Sequence, residues 1–483
     1  MKKFIFPIIL QLLMMNGVQS QPLHEMLNES YANHKEASLN QRRFKHQDIT
    51  PLLERVKSWD GFSVEKVGKS LEGRPISLVS FGDGEKKVLL WSQMHGDEAT
   101  ATQALFDIFN FLRNDEKLRE EITELSRSVT LHFIPMLNPD GAERFQRRNA
   151  QNIDINRDAL RLQTPEGRLL QRVHDSLGVS FGFNLHDQSR YYNVEGTSKP
   201  ASISVLAPAF NEEKDINEVR SRAMKLIVQM NKVLQVYAPG QVGRYSDDFE
   251  PRAFGDNIQS WGTSTILIES GGYPGDREKQ EIRKLNYLAI LEALFAISSE
   301  SYEEEKIGEY EEIPKNASKM FDLKLSNVRV MVGEKSYIAD IGIDRNEIDK
   351  EDHLGYTFSA NVDDYGDLST HYGYEDFNAE GYTIEFGRIT DNYKGTFSDE
   401  DILELLRQGV AYVRMDKKEN EPVKINRVGS DFEVPESLEP GSAASFFLRS
   451  SEGLRYAVIN GFLVDLDRGD LSSISNAIDY YEK

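Results

Sequence analysis

Short apolar runs alternate with helix-spaced segments along residues 87–298, and that alternation leaves few folds open. Residues 87–93 are largely apolar through Val88, Leu89, Leu90 and Trp91. Residues 99–112 follow with apolar side chains at Ala101, Leu105, Phe106, Ile108, Phe109 and Leu112, the spacing of one helix face. Further strand-type runs stand at 129–136, 182–185, 203–206 and 265–268, with helical patterns at 169–177, 219–237 and 277–298. Strands that are apolar throughout are buried on both faces, so the order predicts an α/β unit with a mixed, largely parallel sheet flanked by helices. In such sheets ligands sit beyond the carboxyl ends of strands. His95, Asn138, His186 and Glu269 each follow a strand and are the first candidates for chemistry.

The rest of the chain divides around this unit. Residues 1–20 place Lys2 and Lys3 before an apolar run from Phe4 to Met15 and end on small or polar residues, the pattern of a secretory signal peptide. Residues 21–49 are polar and aperiodic and are read as an N-terminal arm of extended chain or short helices. The α/β unit takes 50–302, and the Glu-rich stretch 303–318 is read as a solvated acidic linker. Residues 319–483 carry alternating patches at 328–332, 382–386 and 456–459 and one helical stretch at 398–409, which predicts a smaller β-rich C-terminal domain of unassigned role.

Composition removes several function classes. A formal net charge of -22 repels phosphate backbones, so nucleic acid is not an expected partner. No run after residue 20 is apolar enough for a stable membrane span once the signal is removed. With no cysteine, disulfide stapling is impossible, and export points to a periplasm or bacterial exterior.

The densest chemistry lies at His95 and Glu98. A strand-end imidazole and a carboxylate three residues later can converge on one point, and a catalytic zinc takes three protein ligands while keeping one position open. His186 follows another apolar strand and could face the same sheet edge as the third ligand. Glu269 ends an apolar strand, where a buried acid needs a partner or a task.

In order, the chain reads His95 and Glu98, Asn138-Pro-Asp-Gly141, Arg148, Asp154-Ile-Asn-Arg157, His186 and Glu269. Over about residues 50–300 this resembles the zinc carboxypeptidase A-like metallopeptidase family. The resemblance implies that His95, Glu98 and His186 bind one Zn2+ per chain and that Glu269 handles protons. It further implies that Arg148 polarises the scissile carbonyl, with the adjacent Arg147 as the other possible register, that Asn156 and Arg157 bind a terminal carboxylate, and that Asp154 orients a zinc histidine. Tyr245 is the candidate for the family's substrate-binding tyrosine. Phe254, Gly255 and Asp256 could each line the side-chain pocket. The expected function is therefore a secreted or periplasmic zinc-dependent metallocarboxypeptidase that hydrolyses a peptide or amide bond next to a free carboxylate. Two alternatives stand beside it: a zinc amidase or deacylase on small N-acyl amino acids or peptidoglycan peptides, and a non-catalytic surface binding protein on the same fold.

Overall fold

A computed structural model describes residues 21–391, 397–415 and 423–480. The expected signal peptide lies outside the described residues.

The arm forms two helices, α1 (Leu23–His34) and α2 (His46–Lys57). There follow β1 (Phe62–Lys69), β2 (Pro75–Phe81), β3 (Lys86–Ser92), α3 (Thr100–Asn114), α4 (Arg119–Ser128) and β4 (Val129–Ile134). Next come α5 (Pro139–Glu143), α6 (Pro165–Leu177), β5 (Phe181–Asp187), β6 (Tyr192–Val194), β7 (Ile203–Leu206), α7 (Glu218–Tyr237) and β8 (Val242–Arg244). The unit closes with α8 (Phe254–Ser260), β9 (Ser264–Ser270) and α9 (Gln280–Ser299).

Its eight-stranded sheet runs β1-β2-β4-β3-β5-β9-β7-β8. The centre, β4-β3-β5-β9, is parallel, and antiparallel pairings join β1 and β2 on one side and β7 on the other. Alternation along β3 explains the layers: Val88 and Leu90 enter one core with α3, α7 and α9, while Leu89 and Trp91 enter a second core with α6 and α8. Sequence reading missed the β1-β2 hairpin, because β1 is nowhere fully buried and carries no continuous apolar run. It also started the last helix too early. Asp276 accepts the Gln280 and Glu281 N–H groups through its two oxygens, and this fixes the start of α9 at Gln280.

The stretch expected to be a solvated linker is folded. It holds a 3-10 turn (Ser301–Glu304), α10 (Ile307–Glu311) and β10 (Asn316–Ser318). Tyr302, Tyr310 and Ile313 are buried in the first core, and the acids pair with cations: Glu303 with Lys225, Glu305 with Lys232 and Glu311 with Arg244. The Glu-rich pattern is the outer face of a packed segment.

The C-terminal region is β-rich, as expected. It comprises β11 (Met320–Val332), β12 (Lys335–Asp349), β13 (Tyr356–Gly366), β14 (Tyr372–Asn378), β15 (Thr383–Glu385), β16 (Arg388–Thr390), α11 (Asp399–Arg407), β17 (Val410–Arg414) and β18 (Asn426–Val428). β19 (Phe446–Ser450), β20 (Gly453–Ile459), β21 (Phe462–Asp465) and β22 (Asp479–Tyr480) complete it. One sheet has eight strands built on β13-β12-β11-β15-β19-β20-β21, and a parallel sheet runs β16-β17-β18-β22.

This region grips the α/β unit beside its strand ends. β10 pairs with β6, Asn316 donates to Gln188 Oε1, and Tyr374 donates to the Arg190 carbonyl. Asp322 on β11 accepts from Arg277 and Tyr191 and pairs with Arg190.

Candidate metal centre and substrate cleft

Three adjacent parallel strands deliver the site. His95 lies just beyond β3, His186 near the end of β5 and Glu269 near the end of β9, with His186 and Glu269 directly opposite in register. The His95 turn is held by a close backbone approach. A Cβ on Gly96 would lie 2.0 Å from the Gly141 carbonyl carbon, so only glycine fits there. Asn138 caps α5 by accepting the Gly141 N–H at 2.9 Å, which holds the opposing backbone in place.

His95, Glu98 and His186 offer ligand atoms that all lie within 4.8 Å of one another, and all three residues are buried. His95 Nδ1 is 2.7 Å from Glu98 Oε1, His186 Nδ1 is 2.6 Å from Glu98 Oε2, and the two Nδ1 atoms are 3.2 Å apart. Asp154 Oδ1 stands 3.0 Å from His95 Nε2, which places a proton on Nε2 and directs the Nδ1 lone pair into the cluster. Lone pairs from two imidazoles and a carboxylate thus converge, and a proton or a cation must lie between them. This donor set fits zinc.

The electrostatics agree with that geometry. Burial alone lowers the His95 imidazole, but Glu98 and Asp154 outweigh it and push it up to about 9. Burial raises Glu98 and Asp154, yet the histidines hold Glu98 well below the usual carboxylate range, and His95 with Arg147 does the same for Asp154. Glu269 behaves in the opposite way: burial, then the charge of Glu98, push it well above its ordinary value.

The structure places Arg147, not Arg148, against the cluster. Arg147 Nη1 is 3.1 Å from Glu98 Oε1, and its Nε donates to Asp154 Oδ2 at 3.1 Å. Arg148 turns outward and donates to the Asn152 carbonyl. Phe145, two residues before Arg147, adopts a left-handed backbone with φ 43°.

A cleft of about 350 Å³ opens over the cluster and is lined by Asn156, Arg157, Tyr245, Asp256 and Glu269 among others. Asn156 and Arg157 lie on a 3-10 turn that Asp154 caps by accepting the Asn156 N–H. Asn156 Oδ1 accepts the Phe254 N–H, and Arg157 Nε is 3.3 Å from Glu250. Tyr245 packs near Tyr192, and burial together with Glu269 raises its phenol. Of the three pocket candidates, Gly255 and Asp256 line the cleft while Phe254 is fully buried in the second core. Burial pushes the Asp256 carboxyl up to about 6. Gln188, Ser189 and Tyr192 also line the cleft, and sequence reading missed them. They lie just past His186, in a segment with no apolar or metal-ligand pattern to mark it.

Residues 56–237 match the family described as zinc carboxypeptidase. The chain carries a zinc carboxypeptidase family domain. Mouse carboxypeptidase D is 31% identical over 108 residues, which are 19% of this chain and 8% of that protein. The human carboxypeptidase N catalytic chain is 27% identical over 155 residues, 28% of this chain and 32% of the relative. The chain thus spans well under half the length of either relative. Among solved structures, a metallo-carboxypeptidase from Burkholderia cenocepacia aligns at 20% identity and a TM-score of 0.42, covering 54% of this chain and 70% of that one. Carboxypeptidase A from Helicoverpa armigera aligns at 16% identity and a TM-score of 0.42, covering 57% and 80%. Among the described residues no helix is long and apolar enough to cross a membrane.

Proposed function

We propose that the protein is a metallocarboxypeptidase that hydrolyses a peptide or amide bond next to a free carboxylate. The observation that carries this reading is the convergence of His95, Glu98 and His186 at the strand ends, with Glu269 in the same cleft. These three residues would hold one Zn2+ per chain, and zinc bound there supplies a Lewis acid that acidifies a water and polarises the scissile carbonyl. Glu269 takes the proton of the attacking water and returns it to the leaving amine, a task suited to a carboxylate whose affinity for protons is raised by burial. Asp154 keeps His95 in the ligating tautomer. Arg147 takes over the role expected of Arg148 and offers positive charge to the developing oxyanion. Asn156 and Arg157 clamp the terminal carboxylate, with Tyr245 lining the same cleft. Residues 1–20 support a site of action outside the cytoplasm, and the charge of -22 disfavours nucleic acid as a partner.

One observation favours the amidase or deacylase alternative: Arg157 already faces Glu250. Paired peptides that differ only in a free or amidated carboxy terminus separate the two readings. A clamp makes the free acid react at least ~100-fold faster, and Arg157→Ala removes most of that difference. Equal rates for acid and amide would sink the carboxypeptidase reading and leave the amidase.

A further inference from the structure

Glu98, Asp187, Gln188 and Ser189 border not one cavity but two. The first is the cleft with Asn156 and Arg157. The second, of about 320 Å³, is walled jointly by the α/β unit, by Arg42 of the arm and by Arg345 and Glu347 of β12. If the substrate's free carboxylate lies against Asn156 and Arg157, as the proposed function has it, the chain on the amino side of the scissile bond leaves the cluster toward this second cavity.

The charge of its wall is unusual for so acidic a chain. Arg190 and Arg277 both line it, and both are held by the single carboxylate of Asp322. Asp322 is buried behind them and also accepts the Tyr191 hydroxyl and the Arg345 N–H. Among the described residues Asp322 is the one carboxylate that touches both guanidinia, with the buried Asp344 close enough to Arg190 to feel its charge. Each guanidinium carbon sits over an aromatic ring, Arg190 over Tyr374 at 4.5 Å and Arg277 over Phe358 at 4.6 Å. Arg277 Nη1 lacks a hydrogen-bond partner but is itself enclosed, so a ligand can reach only the exposed part of each side chain, 27% for Arg277 and 23% for Arg190. The acids of the wall are largely answered from within. Glu347 is met by Arg42 and Arg43, and Asp187 by Lys279 and Thr100, which leaves Asp97 beside Glu98. A planar donor fork that is held in place and stays partly exposed is the arrangement that recognises a carboxylate.

We propose that this second cavity is the subsite for the amino-side half of the substrate and that Arg190 and Arg277 select an acidic side chain there. The C-terminal region is then part of the specificity apparatus, because Asp322, Phe358 and Tyr374 set both guanidinia. The inference rests on the carboxypeptidase reading.

The test uses the full zinc-loaded chain and peptides that share one carboxy-terminal residue. Glu, Ala or Lys is placed in turn at each of the three positions on the amino side of the scissile bond, and kcat/KM is measured. At one position Glu should exceed Lys by at least ~10-fold. Arg277→Gln and Arg190→Gln should each bring that ratio below ~3, while Arg277→Lys, which keeps the charge but not the fork, should fall between Arg277→Gln and the unsubstituted chain. Thermal melting of each variant shows whether it is folded, and the Glu-to-Lys ratio is read within one variant, so a general loss of activity does not mimic the effect. Cleavage of the Ala peptides with no preference between Glu and Lys overturns this inference and leaves the carboxypeptidase reading intact. A preference that survives both Gln substitutions overturns the assignment to these arginines. Failure to release the terminal residue from any peptide overturns the proposed function, and this inference with it.

Discussion

Asp322→Asn measures how firmly the C-terminal region is locked to the cleft. Asp322 is 1% exposed, ion-paired with Arg190 and Arg277 at 2.8 Å each, and accepts the Tyr191 hydroxyl at 2.7 Å. Asparagine keeps the size and one acceptor oxygen but removes the charge and turns an amide N–H₂ toward donors. Removing one partner of a buried ion pair costs about 3–5 kcal/mol, because the remaining charge stays uncompensated. Arg190 and Arg277 are 23% and 27% exposed, so water recovers part of that loss, and the low end, about 3 kcal/mol, is expected. Against a typical domain stability of about 5–15 kcal/mol the variant still folds. Urea denaturation followed by circular dichroism reads the change, and a cycle with Arg277→Gln isolates the pair, since the second substitution should then cost less than it does alone. A loss under ~1 kcal/mol, or full additivity with Arg277→Gln, would refute the reasoning and show that these charges behave as a solvated surface pair.

The remaining expectations concern the cluster and one buried acid. His186→Ala should lose most of the bound zinc by elemental analysis, and full zinc occupancy in that variant removes His186 from the site. Glu269→Gln should bind zinc normally yet lose on the order of 10²–10⁴ in kcat, and near-normal turnover would return Glu269 to a structural role. Arg147→Ala should lower kcat by on the order of 10²–10³ while Arg148→Ala changes it by less than ~3-fold, and the reverse order would restore Arg148. Burial, with Asp363 and Asp322 nearby, pushes the Asp344 carboxyl up to about 8. From about pH 4, where an unfolded aspartate titrates, to about 8, the native state holds a proton that the unfolded chain has released, so this group makes stability fall as pH rises. Asp344→Asn should therefore raise the melting temperature at pH 9 but not at pH 4.5, and an equal change at both would exclude that titration.

What could be read from the sequence followed burial. β3, β4, β5 and β7 are apolar because both faces of the sheet are covered, and their runs announce them. His95, His186 and Glu269 could be picked out because each follows or ends such a run, and Glu98 because it stands three residues after His95; the structure gathers all four in one cleft. The choice between Arg147 and Arg148 could not be read, since both stand in an irregular segment where no periodicity tells which side chain faces the site. The fold of residues 301–318 was hidden for another reason. Its glutamates face lysines and an arginine on α7 and β8, far away in sequence, while only Tyr302, Tyr310 and Ile313 carry the apolar signal. Gln188 and Tyr192 gave no signal at all, because their placement depends on strand β10 and Asn316 more than a hundred residues later.

The two ion-paired regions around the cluster differ in how easily they exchange partners, and burial decides the difference. Arg157 and Glu250 are 37% and 28% exposed and meet at 3.3 Å through one nitrogen. Such a pair is worth about 0–1 kcal/mol in water, whereas a two-pronged contact to a substrate carboxylate contributes roughly 1.5–3 kcal/mol per bond. A terminal carboxylate can therefore displace Glu250, so the pairing that favours the amidase alternative still leaves the clamp energetically open. Asp322 is the reverse case: it is enclosed, accepts several donors at once, and cannot be replaced by a solvated anion without stranding them. The consequence is an adaptable pair at the cleft and a fixed one at the second cavity beside it. On the proposed reading Arg157 releases its neighbour to take a carboxylate, while Arg190 and Arg277 are held in place before any ligand arrives, so the C-terminal region would preorganise the proposed amino-side subsite.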